Sequence, residues 1–149
     1  MTKINGIYCL KKSEIIRGYN SFKDILVDSK LITNSFLRAY IQVSKDKQET
    51  GESKILKDPL ENVRVGFVIS KRFVRKASKR NRLKRLAREA YRLNKYMMIP
   101  YSGSDMKLLF GYNEKYKDEL NKLKIDNVKA NMRILLKKVT DYLSKKKQD

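Results

Sequence analysis

The sequence predicts an α+β fold, a single-domain sandwich of one sheet against helices in the order α-β-β-α-β-α. Apolar and polar residues alternate along Phe36–Ser44, Val63–Ser70 and Met106–Tyr112, the period of half-buried strands. Elsewhere the apolar residues recur at helical spacing: Leu83, Leu86, Ala87, Ala90 and Leu93, then Val128, Met132, Leu135, Leu136, Val139 and Leu143. A chain of 149 residues suits one domain with a modest core, and no internal repeat suggests a second. One sheet packed on helices is the stable way to bury both kinds of face.

Taken in order, Met1–Leu10 is an N-terminal extension, and a helical pattern follows from Lys11 to Leu31, with Ile15, Tyr19, Phe22 and Leu26 on one side. Ser21 and Asp24 have capping-box spacing and predict the start of the regular helix there. The strand Phe36–Ser44 directs Leu37, Ala39, Ile41 and Val43 to one face and Arg38, Tyr40 and Gln42 to the other. Residues 45–62 are polar, contain Gly51 and Pro59, and read as an exposed loop whose acids argue against close phosphate contact. Val63–Ser70 has an apolar face of Val63, Val65, Phe67 and Ile69. Its second face, of Arg64, Gly66, Val68 and Ser70, is smaller and more polar.

A basic helix comes next, and Tyr96–Asp105, with Pro100 and Gly103, breaks it. The strand MKLLFGY then places Met106, Leu108 and Phe110 on one side. Glu114–Lys124 is a charged connection with room for a helical turn. The final amphipathic helix ends in a frayed basic tail over residues 144–149, with Lys145–Lys147 at its centre.

The 36 bases and 16 acids leave a formal net charge of +20, and self-repulsion on that scale fits nucleic acid better than a small substrate. A basic membrane-surface protein competes with that reading. No apolar run approaches the ~18 residues of a spanning helix, however, and Met1–Leu10 lacks the continuous apolar segment of a signal peptide. The chain reads as cytoplasmic. Cys9 is the only cysteine and there is no histidine, which excludes an intrachain disulfide, a cysteine-cluster metal site, and zinc or Ser-His-Asp sites built on imidazole. Cys9 lacks its usual activating base and reads as a small apolar residue. No catalytic or metal-holding side chain is assigned.

The functional reading centres on Ser70–Lys95, SKRFVRKASKRNRLKRLAREAYRLNK. At about 100° per residue, Leu83, Leu86, Ala87, Ala90 and Leu93 form a core stripe. The opposite side collects Asn81, Lys84, Arg85, Arg88 and Arg92. A guanidinium meets two phosphate oxygens at once or stacks on a base, so this face suits a structured polyanion. A merely solvated helix would interleave acids with its bases at i, i+4, yet between Lys71 and Lys95 the only acid is Glu89. If the strands Phe36–Ser44 and Val63–Ser70 are neighbours, Arg38, Tyr40, Gln42 and Arg64 form a shallow platform with cations for phosphates and one aromatic for a base, as a single-strand site needs. The bland alternative is a sheet face wetted by solvent.

The run Ser70-Lys71-Arg72, then Ala77, then Arg80-Asn81-Arg82-Leu83-Lys84-Arg85 with Arg88-Glu89-Ala90 resembles the signature of the protein subunit of bacterial ribonuclease P. The order strand, Ser-Lys-Arg, basic loop, Arg-Asn-Arg helix carries the resemblance. Family members commonly place a glycine between the triplet and the alanine, where this chain has Phe73-Val74-Arg75-Lys76, and they often make the connection at 45–62 shorter. The resemblance implies a role in the endonuclease that removes the 5′ leader of precursor tRNA. Catalysis would belong to the RNA subunit, with Mg2+ held mainly by that RNA and the substrate, and the protein would supply binding.

In that division Lys71, Arg72, Arg80, Asn81, Arg82, Lys84, Arg85 and Arg88 hold the RNA subunit, while Phe22, Arg38 and Tyr40 meet the leader. Phe22 is equally a core residue by its spacing. A second aromatic is common four residues on, where this chain has Leu26. The resemblance also implies a roughly four-stranded mixed sheet, its first strands open to subdivision. Val63–Ser70 and Met106–Tyr112 would be parallel neighbours joined by a left-handed crossover, where chain physics alone expects a right-handed one. A non-enzymatic RNA binder, such as a ribosomal protein or an RNA chaperone, would present the same helix; helices for duplex DNA or for a membrane surface are more distant alternatives.

Overall fold

The structure, a computed structural model, describes residues 10, 12–16, 19–43, 62–101 and 105–148. Of the expected N-terminal extension and the exposed loop at 45–62, all but Leu10 and Asn62 lie outside these residues. Four strands, β1 (Lys30–Asn34), β2 (Leu37–Val43), β3 (Val63–Phe67) and β4 (Met106–Tyr112), form one sheet in the spatial order β1-β2-β4-β3. The β1–β2 and β2–β4 pairs are antiparallel and β3–β4 is parallel, so the sheet is mixed. A parallel pair needs a crossover; α2 (Ala77–Asn94) and a 3-10 segment, Lys95–Tyr101, supply it. The remaining helices are α1 (Tyr19–Val27) and α3 (Ile125–Gln148).

Alternation along the strands decides which side holds the main core. Leu37, Ala39 and Ile41 of β2, Val63, Val65 and Phe67 of β3, and Met106, Leu108 and Phe110 of β4 are buried on one face. There α3 packs on β1 and β2, and α2 packs on β3 and α3. Phe67, Tyr91 and Phe110 meet with ring centroids 5.3 to 6.5 Å apart, within the about 4.5–7 Å of favourable aromatic pairs.

The stripe of α2 is turned from the expected one. Leu83, Ala87 and Ala90 are buried, but Tyr91 and Asn94 join them while Leu86 and Leu93 are half-buried. Tyr91 follows the aromatic rings of the sheet. Asn94 tolerates burial because its Nδ2 donates to Ala90 O at 2.9 Å and to Lys129 O on α3 at 3.2 Å, leaving no orphaned donor. On α3 all six expected core residues are buried. The helix continues to Gln148, so Lys145–Lys147 lie in its last turns and are no frayed tail. No Gly or Pro stops it, and terminal lysines favour the C-terminal end of the helix dipole.

The expected helix over Lys11–Leu31 divides. Lys12–Glu14 is a 3-10 turn, Ile15 bridges Val65 in parallel, α1 begins only at Tyr19, and Lys30 already belongs to β1. The open edge of β3 recruits the segment before α1: Ile16 N donates to Val65 O at 2.6 Å, covering part of a row of unpaired backbone groups. Ser21 is the third residue of α1 and does not start it. β1 joins β2 through the two residues Ser35 and Phe36, with Ser35 at φ 52°. Pairing with β2, more than local pattern, makes KLITN a strand. Val63–Ser70 also ends early as a strand, at Phe67.

The second face of the sheet carries α1. Ile16, Ile25 and Leu109 are buried there, with Phe22, Tyr40 and Val68 packed against them. Phe22 approaches so closely that a Cβ on Gly66 would stand 2.9 Å from its Cε1. Glycine is therefore required under that ring, and the core reading of Phe22 holds in part.

Candidate nucleic-acid interface

The basic surface begins where β3 ends. Ser70 Oγ accepts from Arg72 N at 3.1 Å and Phe73 N at 3.2 Å, turning the chain so that Phe73 enters the core and Lys71 and Arg72 stand exposed. Among the described non-glycine residues only Ser35 has a positive φ, so this turn closes without the conformation that makes a glycine necessary. That is the physical reason Phe73–Lys76 can occupy the interval. Arg80 fastens the loop from the helix: its Nη1 donates to Val74 O at 2.8 Å and Arg75 O at 2.7 Å.

The start of α2 is built against its own stability. Lys76, at the N-cap, makes no side-chain cap, and the first turn contains no acid although Lys79 and Arg80 stand there. Cations near a helix N-terminus oppose the dipole by ~0.3–1 kcal/mol each, and an anionic partner would reverse that penalty. Further along, Asn81, Arg82, Arg85 and Arg88 are exposed and Lys84 is half-buried. Arg85 and Arg88 enter no hydrogen bond or ion pair among the described residues. Arg82 Nη2 donates to Leu123 O, which aims the guanidinium along the flank beside Leu120 and Asn121. Arg92 departs from the expected free face, since its Nη2 lies 2.8 Å from Glu89 Oε2. The eight expected RNA-subunit residues thus share one helix and its leading loop, with Arg80 and Arg82 also tying down backbone.

The expected platform is rearranged. β2 and β3 are not neighbours, because β4 lies between them; Gln42 and Arg64 both register with Lys107, and Arg38 registers with Gly111. What forms instead is a cleft of about 160 Å3 beside Arg38 and Tyr40, floored by Gly111 and Val68 and bounded by Leu26, Ser70, Tyr112 and Glu114. Arg38 and Tyr40 line it together. Phe22 does not; it packs over Gly66 in the adjoining cluster with Tyr40.

Arg38 Nη2 donates to Asn113 Oδ1 at 3.4 Å, and the same oxygen accepts from Lys115 N at 3.1 Å, so Asn113 positions the guanidinium. Arg38 Nε is closed to solvent and has no hydrogen-bond partner among the described residues. Tyr112 OH donates to Leu83 O at 2.7 Å, linking the cleft wall to α2; burial pushes its phenol above the usual tyrosine range, with the Arg82 charge opposing in part. Gly111, Asn113 and Glu114 are not among the expected site residues, and Ser70 is expected only as part of the Ser70-Lys71-Arg72 run. For Gly111 the signal was present, since alternation along MKLLFGY puts it opposite the apolar side.

A model of the Ribonuclease P family matches residues 10–140. This chain belongs to the ribonuclease P protein family. The Ribonuclease P protein component of Photorhabdus laumondii is 40% identical over 63 residues, which cover 41% of this chain and 53% of that protein. The Chlorobaculum tepidum component is 33% identical over 89 residues, covering 60% and 53%. The chain spans about half the length of these curated relatives. Among solved structures, the RNase P protein from Thermotoga maritima has a TM-score of 0.61 at 22% identity, covering 84% of this chain and 96% of that one. The Staphylococcus aureus RNase P protein has 0.60 at 18%, covering 86% and 96%. At such identities the likeness shows the fold. In this member of the ribonuclease P protein family the sheet and its helices therefore form a fold shared with those RNase P proteins.

Proposed function

We propose that this protein acts as the protein component of ribonuclease P. It binds the RNA subunit through α2 and its leading loop, and the 5′ leader of precursor tRNA through the cleft at Arg38 and Tyr40. The complex then removes the leader endonucleolytically and leaves the mature tRNA 5′ end. The observation that carries the reading is the meeting of these two surfaces at Ser70–Phe73. Ser70 and Phe73 border the cleft, and Lys71 and Arg72 between them belong to the exposed basic loop, so one continuous path serves both RNAs. Arg38 supports it as well: its guanidinium lines the cleft and is positioned there by Asn113.

In this reading the protein's own residues bind and orient, and bond cleavage belongs to the RNA subunit. Magnesium would be held mainly by the RNA subunit and the substrate. Bound there, magnesium would supply an activated water and stabilise the departing oxygen. Among the described residues no helix is long and apolar enough to cross a membrane, and the proposed place of action is the cytoplasm.

Reconstitution tests the proposal. Purified protein with its cognate RNA subunit should cleave precursor tRNA at the mature 5′ end at magnesium concentrations where the RNA alone is slow. RNA binding with no gain in cleavage would support the ribosomal-protein or chaperone alternative instead.

A further inference from the structure

Glu114 is the only acid among the residues lining the cleft, in a chain with 36 bases and 16 acids. Its side chain is exposed and enters no hydrogen bond or ion pair among the described residues. Gly111 lines the floor of the cleft without a side chain. Gly111 sits across from Arg38, and a Cβ there would stand 3.3 Å from Val68 O and 3.7 Å from Val68 Cγ1, narrowing the floor. At about 160 Å3 the hollow is well below the ~300 Å3 at which small-molecule pockets begin. It fits one flat ring better than a whole nucleotide.

A carboxylate repels phosphate, so Glu114 is out of place in a site that reads only the backbone. It accepts hydrogen bonds when ionised and donates none. Cytosine offers its N4 amino group to such an acceptor, and the other amino-bearing bases offer theirs. Uracil has one ring N–H between two carbonyl oxygens, and a carboxylate reaching that N–H meets their negative edges. Tyr40 supplies a stacking surface and Arg38 a cation for the adjoining phosphate.

We propose that the hollow over Gly111 receives a single leader nucleobase and that Glu114 selects one bearing an exocyclic amino group over uracil. The inference rests on the leader-binding reading above and adds a base preference to it. The bland account of Glu114, an acid in the first turn of the 3-10 helix Glu114–Lys122, predicts no dependence on the base.

The test uses the holoenzyme, reconstituted from the full chain and its cognate RNA subunit, with one tRNA body carrying an oligocytidine leader, an oligouridine leader or none. Wild type should bind the oligocytidine substrate roughly tenfold more tightly than the oligouridine one, the scale of one hydrogen bond to a charged group. In Glu114→Gln the ratio should fall to within about twofold, because an amide both accepts and donates, while the melting temperature and the affinity for leaderless tRNA stay unchanged. Equal affinity for the two leaders in wild type, or a preference that survives in E114Q, overturns the proposal and leaves leader binding intact. If leaderless tRNA binds as tightly as both leader-bearing substrates, the leader-binding reading fails and the base preference with it.

Discussion

Lys95 Nζ lies 2.9 Å from Oε1 and 3.3 Å from Oε2 of Glu14, and both side chains are closed to solvent. The pair ties the end of α2 to the 3-10 turn that precedes the bridge on the open edge of β3. Desolvating two ions costs several kcal/mol each, and only close, hydrogen-bonded geometry offsets it. Removing one partner takes a close ionic hydrogen bond from a charge that stays buried. Lys95→Met or Glu14→Gln should therefore each lower stability by about 3–5 kcal/mol, whereas Glu14→Leu with Lys95→Met should recover most of that loss. Urea unfolding of the three variants checks it, and single variants within about 1 kcal/mol of wild type would contradict a structural role for the pair.

Tyr91 sits beside this pair. Burial, with a smaller contribution from the Glu14 charge, raises its phenol above the ordinary tyrosine value, which is about 10. A folded-state pKa above the unfolded one stabilises fully below the unfolded value and is lost as pH rises past it. Stability should accordingly fall above about pH 10, and Tyr91→Phe should soften that fall without affecting the neutral range through ionisation. Thermal melts from pH 8 to 11 on both proteins measure the difference; parallel curves would show that Tyr91 is not the group responsible.

Arg85 and Arg88 are exposed and enter no hydrogen bond or ion pair among the described residues, which makes them clean probes of α2. Replacing each by alanine should leave the melting temperature nearly unchanged. It should also flatten the log-log salt dependence of RNA-subunit binding by roughly 0.7–0.9 per lost phosphate contact. Arg82→Ala should behave differently, since that side chain also holds Leu123 O and its loss should cost stability too. An unchanged salt slope in the Arg85 and Arg88 variants would remove α2 from the RNA interface.

Tyr40 lies half-buried against Ile16, Ile25 and Leu109, so alanine there costs packing as well as any stacking. The informative comparison is with phenylalanine, which keeps the ring. Tyr40→Ala should lose about 1–3 kcal/mol of affinity for leader-bearing tRNA and little for mature tRNA, while Tyr40→Phe should retain both. Equal losses for the two RNAs, accompanied by a lower melting temperature, would reduce Tyr40 to a core residue.

Much of the fold is legible in the sequence. Period-two alternation named β2, β3 and β4, helical spacing named α2 and all six buried residues of α3, and the acid-free run from Lys71 to Arg88 named the basic surface. These signals are local: a residue's face on a strand or helix follows from backbone geometry, and a charge run needs no fold to be seen. Tertiary structure decided the rest, because those outcomes depend on what lies across space. β1 is a strand because β2 offers it hydrogen bonds, not because KLITN alternates. β4 falls between β2 and β3, which divided the expected platform and opened a cleft over Gly111. Nothing local in the sequence pairs Glu14 with Lys95, which the fold buries against each other, and Glu114 reads as part of a charged connection until β4 carries it to the rim of the cleft beside Arg38. The sequence by itself determined which residues could be apolar, periodic or cationic; only packing determined which charged groups lost their water and which stood together.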